Sequence, residues 1–223
     1  STLKYAARDM GAKADWSIRL PKRFSENSRD QKLTAVECGQ LYEAAEALRP
    51  VERDYVRLLV LTAQRGGEVR TIRRDHLLPD KRAFKLNNEE TKARVAFITP
   101  LGPRAWEILQ EAGGRHNHDR LICARTGGEL GNHNRIAVRI KAELGWQDKD
   151  FRMHDLRRSF ATQMAVEPVK VESKLETISR CIGHFPAGLS RSDLVYIVDN
   201  DEAVEQRRKV FEKWEQVVLG CAP

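Results

Sequence analysis

The sequence predicts a mainly α domain with a small three-stranded antiparallel sheet, an α+β arrangement, and three observations carry that reading. Apolar residues recur at helical spacing from Thr34 onward and again from Pro103 to Val218. Between residues 75 and 99 the pattern shortens to strand-like runs, HLL, AFKL and VAFIT, separated by the turn-forming PDKR and NNEETKA. The chain also has the means for one core, since 223 residues with 41% hydrophobic content can bury enough apolar surface for a single domain.

Residues 1–30 are polar and basic, with Gly11, Pro21 and the run SENSRDQK, and are expected to be a linker or tail ahead of a domain at 31–223. Thr34 is placed to cap a helix, with Glu37 closing a capping box, and Leu41, Ala44, Ala45 and Leu48 extend it until Pro50 stops it. ERDYVRLLVLTA is apolar on every side and is expected at the centre of the core. Gly66 and Gly67 interrupt it, after which Glu68 opens a short helix that turns Val69 and Ile72 inward. Helices resume after the sheet with AWEILQEA, NRIAVRIKAEL and HDLRRSFATQMAV, then KLETISRCIGH with Leu175, Ile178 and Ile182 in register. Ser190 and Asp193 are placed to cap DLVYIV. Last comes DEAVEQRRKVFEKWEQVV, amphipathic through Val204, Phe211, Trp214 and Val218.

The stretch HDLRRSF concentrates charge at the start of a helix. At roughly 100° per residue, Met153, Leu156, Phe160 and Met164 share one stripe, with His154 and Arg157 on its flank and Asp155 and Arg158 pointing away. A polar pair beside a buried face is held by packing yet can reach a ligand, so Arg157 is the candidate placed group and Arg158 the solvated one. An isolated HxxR more often marks charges that merely rim a core.

Several function classes are excluded. No run of about 18 apolar residues is present, so no membrane span or membrane partner is expected. STLKYAARDMGAK lacks the apolar centre of a secretory signal. Cys38, Cys123, Cys181 and Cys221 are scattered without a CxxC pair, which fits free thiols in a reducing, cytoplasmic compartment and argues against a zinc site. HNHD at 116–119 spells the name of a metal-dependent nuclease class, but consecutive letters in a loop are not that motif. Ser159 has no GxSxG elbow around it. The net charge of +7, with arginine-rich EVRTIRRDH and QRRKVFEK, favours a polyanionic partner, phosphate backbones being the usual target.

Four separated segments, TAQRGGE, EETKARV, HDLRRSF and IGHFPAGLSRSDLVY, resemble in order and rough spacing the boxes of the tyrosine recombinases, the phage integrase family. That pattern has an arginine in a TxxRxGE box, a lysine in a β-turn, an HxxR opening a helix, a GH, and then a tyrosine. Arg65, Lys92, His154, Arg157, His184 and Tyr196 fill these slots, and the match spans residues 31–223. The resemblance implies the catalytic fold of that family, a tyrosine nucleophile at Tyr196, catalytic roles for the other five, and no metal or other cofactor. Glu68 is expected to orient Arg65 from behind. It also implies double-stranded DNA attachment sites as partner, a monomer without DNA and a homo-tetramer on synapsis, with the 201–223 helix docking in trans through Phe211 and Trp214 or else covering its own core. The amino-terminal core-binding domain of such enzymes is expected to be missing, leaving weak DNA binding.

Alternatives remain at single positions. Arg94 competes with Lys92 for the lysine slot, Tyr196 among Leu194, Val195, Ile197 and Val198 reads equally as a core residue, and His184 after Gly183 reads as a helix terminator. The stretch FPAGLSRSDLV before Tyr196 is longer than in many members, and RRDH stands where a tryptophan and aspartate are common, with Asp75 retained. A type IB topoisomerase or resolvase would share the chemistry, and a noncatalytic DNA-binding regulator would share only the charge.

Overall fold

A computed structural model describes residues 32–131, 133–172, 174–184 and 200–221. The expected linker at 1–30, the DLVYIV segment with its Ser190 and Asp193 cap, and Tyr196 lie outside the described residues.

Thr34 begins α1 (Ala35–Ala44) with the capping box legible in its sequence: its hydroxyl accepts the Glu37 N–H at 3.2 Å while Glu37 accepts the Thr34 N–H at 2.8 Å. A 3-10 turn, Ala45–Ala47, follows. Pro50 does more than stop it, occupying the first turn of α2 (Pro50–Thr62), where its fixed φ and absent N–H are tolerated. Buried Tyr55, Val56, Leu58, Leu59, Val60 and Leu61 make α2 the central core helix. Ala63, at φ 50°, ends it. The next helix, α3 (Gly66–Thr71), starts at the glycines and not at Glu68, because Arg65 is its N-cap and Gly66 lies against the Tyr55 hydroxyl, where a side chain would collide.

The sheet has the expected three antiparallel strands, β1 (Leu77–Leu78), β2 (Ala83–Leu86) and β3 (Phe97–Pro100), in that order. Phe84 pairs with Leu77 on one side and Thr99 on the other. β3 begins later than VAFIT suggested because the Thr91 hydroxyl donates to the Val95 carbonyl at 2.8 Å and accepts its N–H at 3.1 Å, keeping Val95 in the turn.

Four further helices, α4 (Pro103–Gly114), α5 (His133–Glu143), α6 (Asp155–Val166) and α7 (Lys174–Cys181), precede a long final one, α8 (Asp201–Gly220). α8 packs against α1, α2, α6, α7 and β3. Trp214, fully buried, donates its indole N–H to the Val60 carbonyl at 2.7 Å. Phe160 of α6 stacks on Phe211 and meets Trp214 edge-on, each at 5.6 Å between centroids. The two aromatic rings expected as trans-docking candidates are therefore enclosed in their own core. Glu215 also caps a helix distant in sequence, accepting the Arg104 and Ala105 N–H groups of α4 at 2.8 and 3.1 Å.

Two expectations are corrected. Leu175 does not face the core with Ile178: it is 68% exposed, and the buried face of α7 consists of Thr177, Ile178 and Cys181. Lys174 reaches back to the carbonyls of Ala165 and Glu167 at 2.8 and 2.7 Å, which holds the first turn of α7 at the edge of α6 and turns Leu175 to solvent. Asp155 does not point away, because its carboxylate folds back to accept the Arg152 N–H at 2.9 Å and is buried. Trp214→Ala is expected to lower the unfolding free energy by about 3–5 kcal/mol, since it removes a large core side chain without a substitute; urea denaturation followed by circular dichroism measures it.

Candidate active site

The site is assembled from helix ends. Helix α7 stops in a Schellman arrangement: Gly183 adopts φ 62°, its N–H reaches the Arg180 carbonyl at 2.9 Å, and the His184 N–H reaches the Ser179 carbonyl at 3.0 Å. The GH pair is thus a helix terminator, and the turn brings His184 into the electrostatic reach of Arg157 and Arg65. It also leaves the Cys181 and Ile182 carbonyls to other donors.

Arg157 takes one of them. Its side chain is 96% removed from solvent, being 4% exposed. The guanidinium donates to the Ile182 carbonyl and, at 2.8 Å, to the Ala63 carbonyl at the end of α2. Gln64 makes a parallel link, donating to the Thr62 carbonyl at 2.9 Å and the Cys181 carbonyl at 2.8 Å. Its position directly after a buried helix was the available signal, and sequence reasoning did not single it out.

Arg65, the N-cap of α3, donates from Nη1 to Glu68 Oε1 at 2.8 Å, while the other carboxylate oxygen faces the Arg65 N–H at 3.3 Å. Glu68 Oε1 also stands 3.4 Å from the Lys92 N–H, so one carboxylate touches both the arginine and the turn between β2 and β3. Lys92 is exposed on that turn, as is Arg94, the alternative cation, which adopts φ 56°. His154 sits at the start of α6 on the exposed side, its carbonyl accepting the Arg157 N–H at 3.3 Å. The structure therefore brings Arg65, Glu68, His154, Arg157 and His184 together, attaches Lys92 through its backbone, and leaves Tyr196 outside the described residues.

The group is short of negative charge. Burial, followed by Arg65, pulls the Arg157 pKa down to about 10, with Glu68 opposing. Arg157 nonetheless remains charged at neutral pH. His154 is lowered by burial, then by Arg157, with Asp155 opposing and Arg65 and Arg158 adding smaller contributions. His184 is lowered by burial, then Arg157, Arg65 and His154, with no opposing contribution among the described residues. Two guanidiniums beside two imidazoles whose protonation they disfavour can seat an anion, which would relieve that effect.

Other sequence features resolve differently. Ser159 is structural, donating to the Asp155 carbonyl at 3.0 Å and accepting the Leu33 N–H at 2.7 Å. His116 and His118 lie ring to ring at 5.1 Å, and no group of three metal-ligating side chains is found among the described residues. No described helix is long and apolar enough to cross a membrane. The arginine clusters expected to meet phosphates are largely engaged within the protein: Arg70 pairs with Glu129 at 2.6 Å, Arg73 with Glu90 at 2.8 Å and Arg208 with Glu205 at 2.9 Å, and Arg207 is fully buried.

The folded chain is similar to several solved structures. The integrase from mycobacterium phage Brujita superposes with a TM-score of 0.60 at 19% identity, covering 96% of this chain and 68% of that one. The lambda integrase(75-356) dimer bound to a COC' core site gives 0.59 at 18% identity, covering 84% and 69%. A lambda integrase tetramer bound to a Holliday junction gives 0.60 at 18%, covering 84% and 56%. These likenesses establish the fold. No curated protein sequence matches. Residues 31–184, well over half the chain, match the model of the phage integrase family. With that match and the recombinase fold together, the chain belongs to the phage integrase family, the tyrosine-type site-specific recombinases.

Proposed function

We propose that this chain cuts and rejoins duplex DNA without a metal, through a 3′-phosphotyrosyl intermediate on Tyr196, in the integration and excision of a bacterial mobile element. The observation that carries the proposal is the gathering of Arg65, His154 and His184 around the buried Arg157 guanidinium, which is held by backbone carbonyls and so keeps its charge. Such a set suits a phosphodiester, whose non-bridging oxygens gain negative charge as a fifth oxygen approaches.

Each group then has a task. Two of the five donors of Arg157 are held by carbonyls, which fixes the plane of the fork and leaves the others for a phosphate oxygen. Arg65, steadied by Glu68, supplies a second fork. His184 donates to the same phosphate, and His154 assists proton transfer from the Tyr196 phenol, which is otherwise mostly protonated with an ordinary pKa of about 10. Lys92, on its turn, protonates the departing 5′ oxygen. The phosphotyrosyl bond keeps the energy of the phosphodiester, so a 5′ hydroxyl of the same or a partner duplex reverses the step without ATP.

The lambda integrase structures, a dimer on a core site and a tetramer on a Holliday junction, support a matching assembly here. The chain would be a monomer in the cytoplasm and tetrameric on paired attachment sites.

A nicked duplex whose cleavage releases a short strand should trap a covalent protein–DNA adduct, resolved on a denaturing gel, and Tyr196→Phe should abolish it. An unchanged adduct in that variant removes Tyr196 as nucleophile. Arg157→Ala should slow trapping by roughly a hundred- to a thousandfold, the usual loss for one preorganised donor to a developing oxyanion. The lowered imidazole pKa values give a third outcome. A bound phosphate raises them again, so between the free and the bound imidazole pKa values binding should take up protons and affinity should increase as the pH falls, levelling off once the imidazoles are charged in both states. Calorimetry with DNA in two buffers of different ionisation enthalpy reads that uptake directly.

A further inference from the structure

The turn that carries Lys92 is attached to the body of the protein on two sides. On the inner side is the contact of its N–H with Glu68. On the outer side is Glu90, two residues before Lys92. One oxygen of Glu90 lies 2.8 Å from Arg73 Nη1. The other accepts the Asn87 N–H at 2.9 Å and stands 3.3 Å from His76 Nε2. Glu90 thereby joins both ends of the first half of the turn to the segment between α3 and β1.

That segment is a firm mount. Residues Arg74–His76 form a 3-10 turn, and Arg74 donates to the Gly113 carbonyl in the last turn of α4 and to the His116 and His118 carbonyls beyond it. His76 is 4% exposed, and its Nδ1 accepts the Arg73 N–H at 3.3 Å, which puts the single proton of the neutral ring on Nε2, facing Glu90. The approach is off-line and Nε2 completes no hydrogen bond, so this contact is electrostatic, with Arg73 the stronger partner of the carboxylate. Burial lowers the His76 pKa, Glu90 opposes that, Arg73 reinforces it, and Asp75 opposes it more weakly. The turn is also braced internally through the Thr91 hydroxyl and Val95. A braced turn on a firm mount moves as one piece, and Glu90 is the joint between them.

A carboxylate offers nothing to a phosphate, so any part Glu90 has in the reaction passes through the lysine two residues on. We infer that Glu90, held by Arg73 and His76, is a positioning residue that fixes the turn so that the Lys92 ammonium meets the leaving 5′ oxygen. The inference rests on the proton-donor role proposed for Lys92.

The test separates the two. The probe is a nicked duplex captured by the unsubstituted chain from a randomised pool, made once with the bridging 5′ oxygen and once with sulfur there. A thiolate leaves without a proton, so a defect confined to proton donation disappears with sulfur. Glu90→Ala should slow cleavage of the oxygen duplex by about a hundredfold, as a misplaced reacting group does, and cleave the sulfur duplex at close to the unsubstituted rate. Glu90→Ala combined with Lys92→Ala should be no slower than Lys92→Ala alone, because the two act through one group. Glu90→Gln keeps the acceptor for Asn87 and loses the charge pairing with Arg73; it should show a smaller defect of the same kind, and it serves if the alanine variant does not fold. Amide exchange over residues 91–95 should quicken in either variant while α2 is unchanged. Equal slowing on both duplexes, or no slowing on oxygen, overturns the positioning role while sulfur rescue of Lys92→Ala keeps the lysine's own assignment. Absence of that rescue overturns both.

Discussion

A guanidinium withdrawn from water must be satisfied where it lies, and Arg157 is satisfied by carbonyls instead of a carboxylate. The two acceptors belong to Ala63 and Ile182, residues that end α2 and α7, where helices leave carbonyls unpaired and carry partial negative charge. One side chain thus fastens the start of α6 to two helix ends. The positive charge is retained, because half-charges on backbone dipoles hold it in place without cancelling it. An aspartate in that position would have given a tight ion pair and a neutral site.

The neighbouring features follow from that knot. Gly183 provides the left-handed turn that leaves the Ile182 carbonyl accessible and carries the chain into His184. Gln64 repeats the linkage between the same two helix ends with a neutral amide. Arg65 can then sit as the N-cap of α3 with Glu68 closing the turn behind it, and Glu68 in turn reaches the hairpin. The core seen from the other side, α8 with Trp214 against the Val60 carbonyl, keeps α2 from shifting under the load.

Much of this was legible from local pattern. The capping box at Thr34, the three strands and the break after α2 depend on neighbours within a few residues, and they lie where the spacing put them, apart from small shifts at Gly66 and Phe97. Helical geometry picked Arg157 over Arg158, which is exposed. Periodicity could not see what lies opposite a side chain. Asp155 lies inward because its carboxylate accepts a backbone N–H three residues before it, and Leu175 outward because the reach of Lys174 to α6 spans more than a local window. Glu215 caps a helix more than a hundred residues away, a contact no local rule reaches. Composition registers the arginine-rich stretches only as charge, while the carboxylate and carbonyls that hold Arg70 and Arg74 lie on other segments.

Those internal partners alter how the molecule will respond to ionic strength. A cation already paired with Glu129, Glu90 or Glu205, or turned onto backbone oxygens as Arg74 is, must give up those partners before it can displace a counterion from a polymer of phosphates. The formal excess of +7 already subtracts every carboxylate, so it counts the surplus cations without saying which of them a polyanion can reach. How steeply binding falls with added salt then depends on the cations that internal acceptors do not already hold.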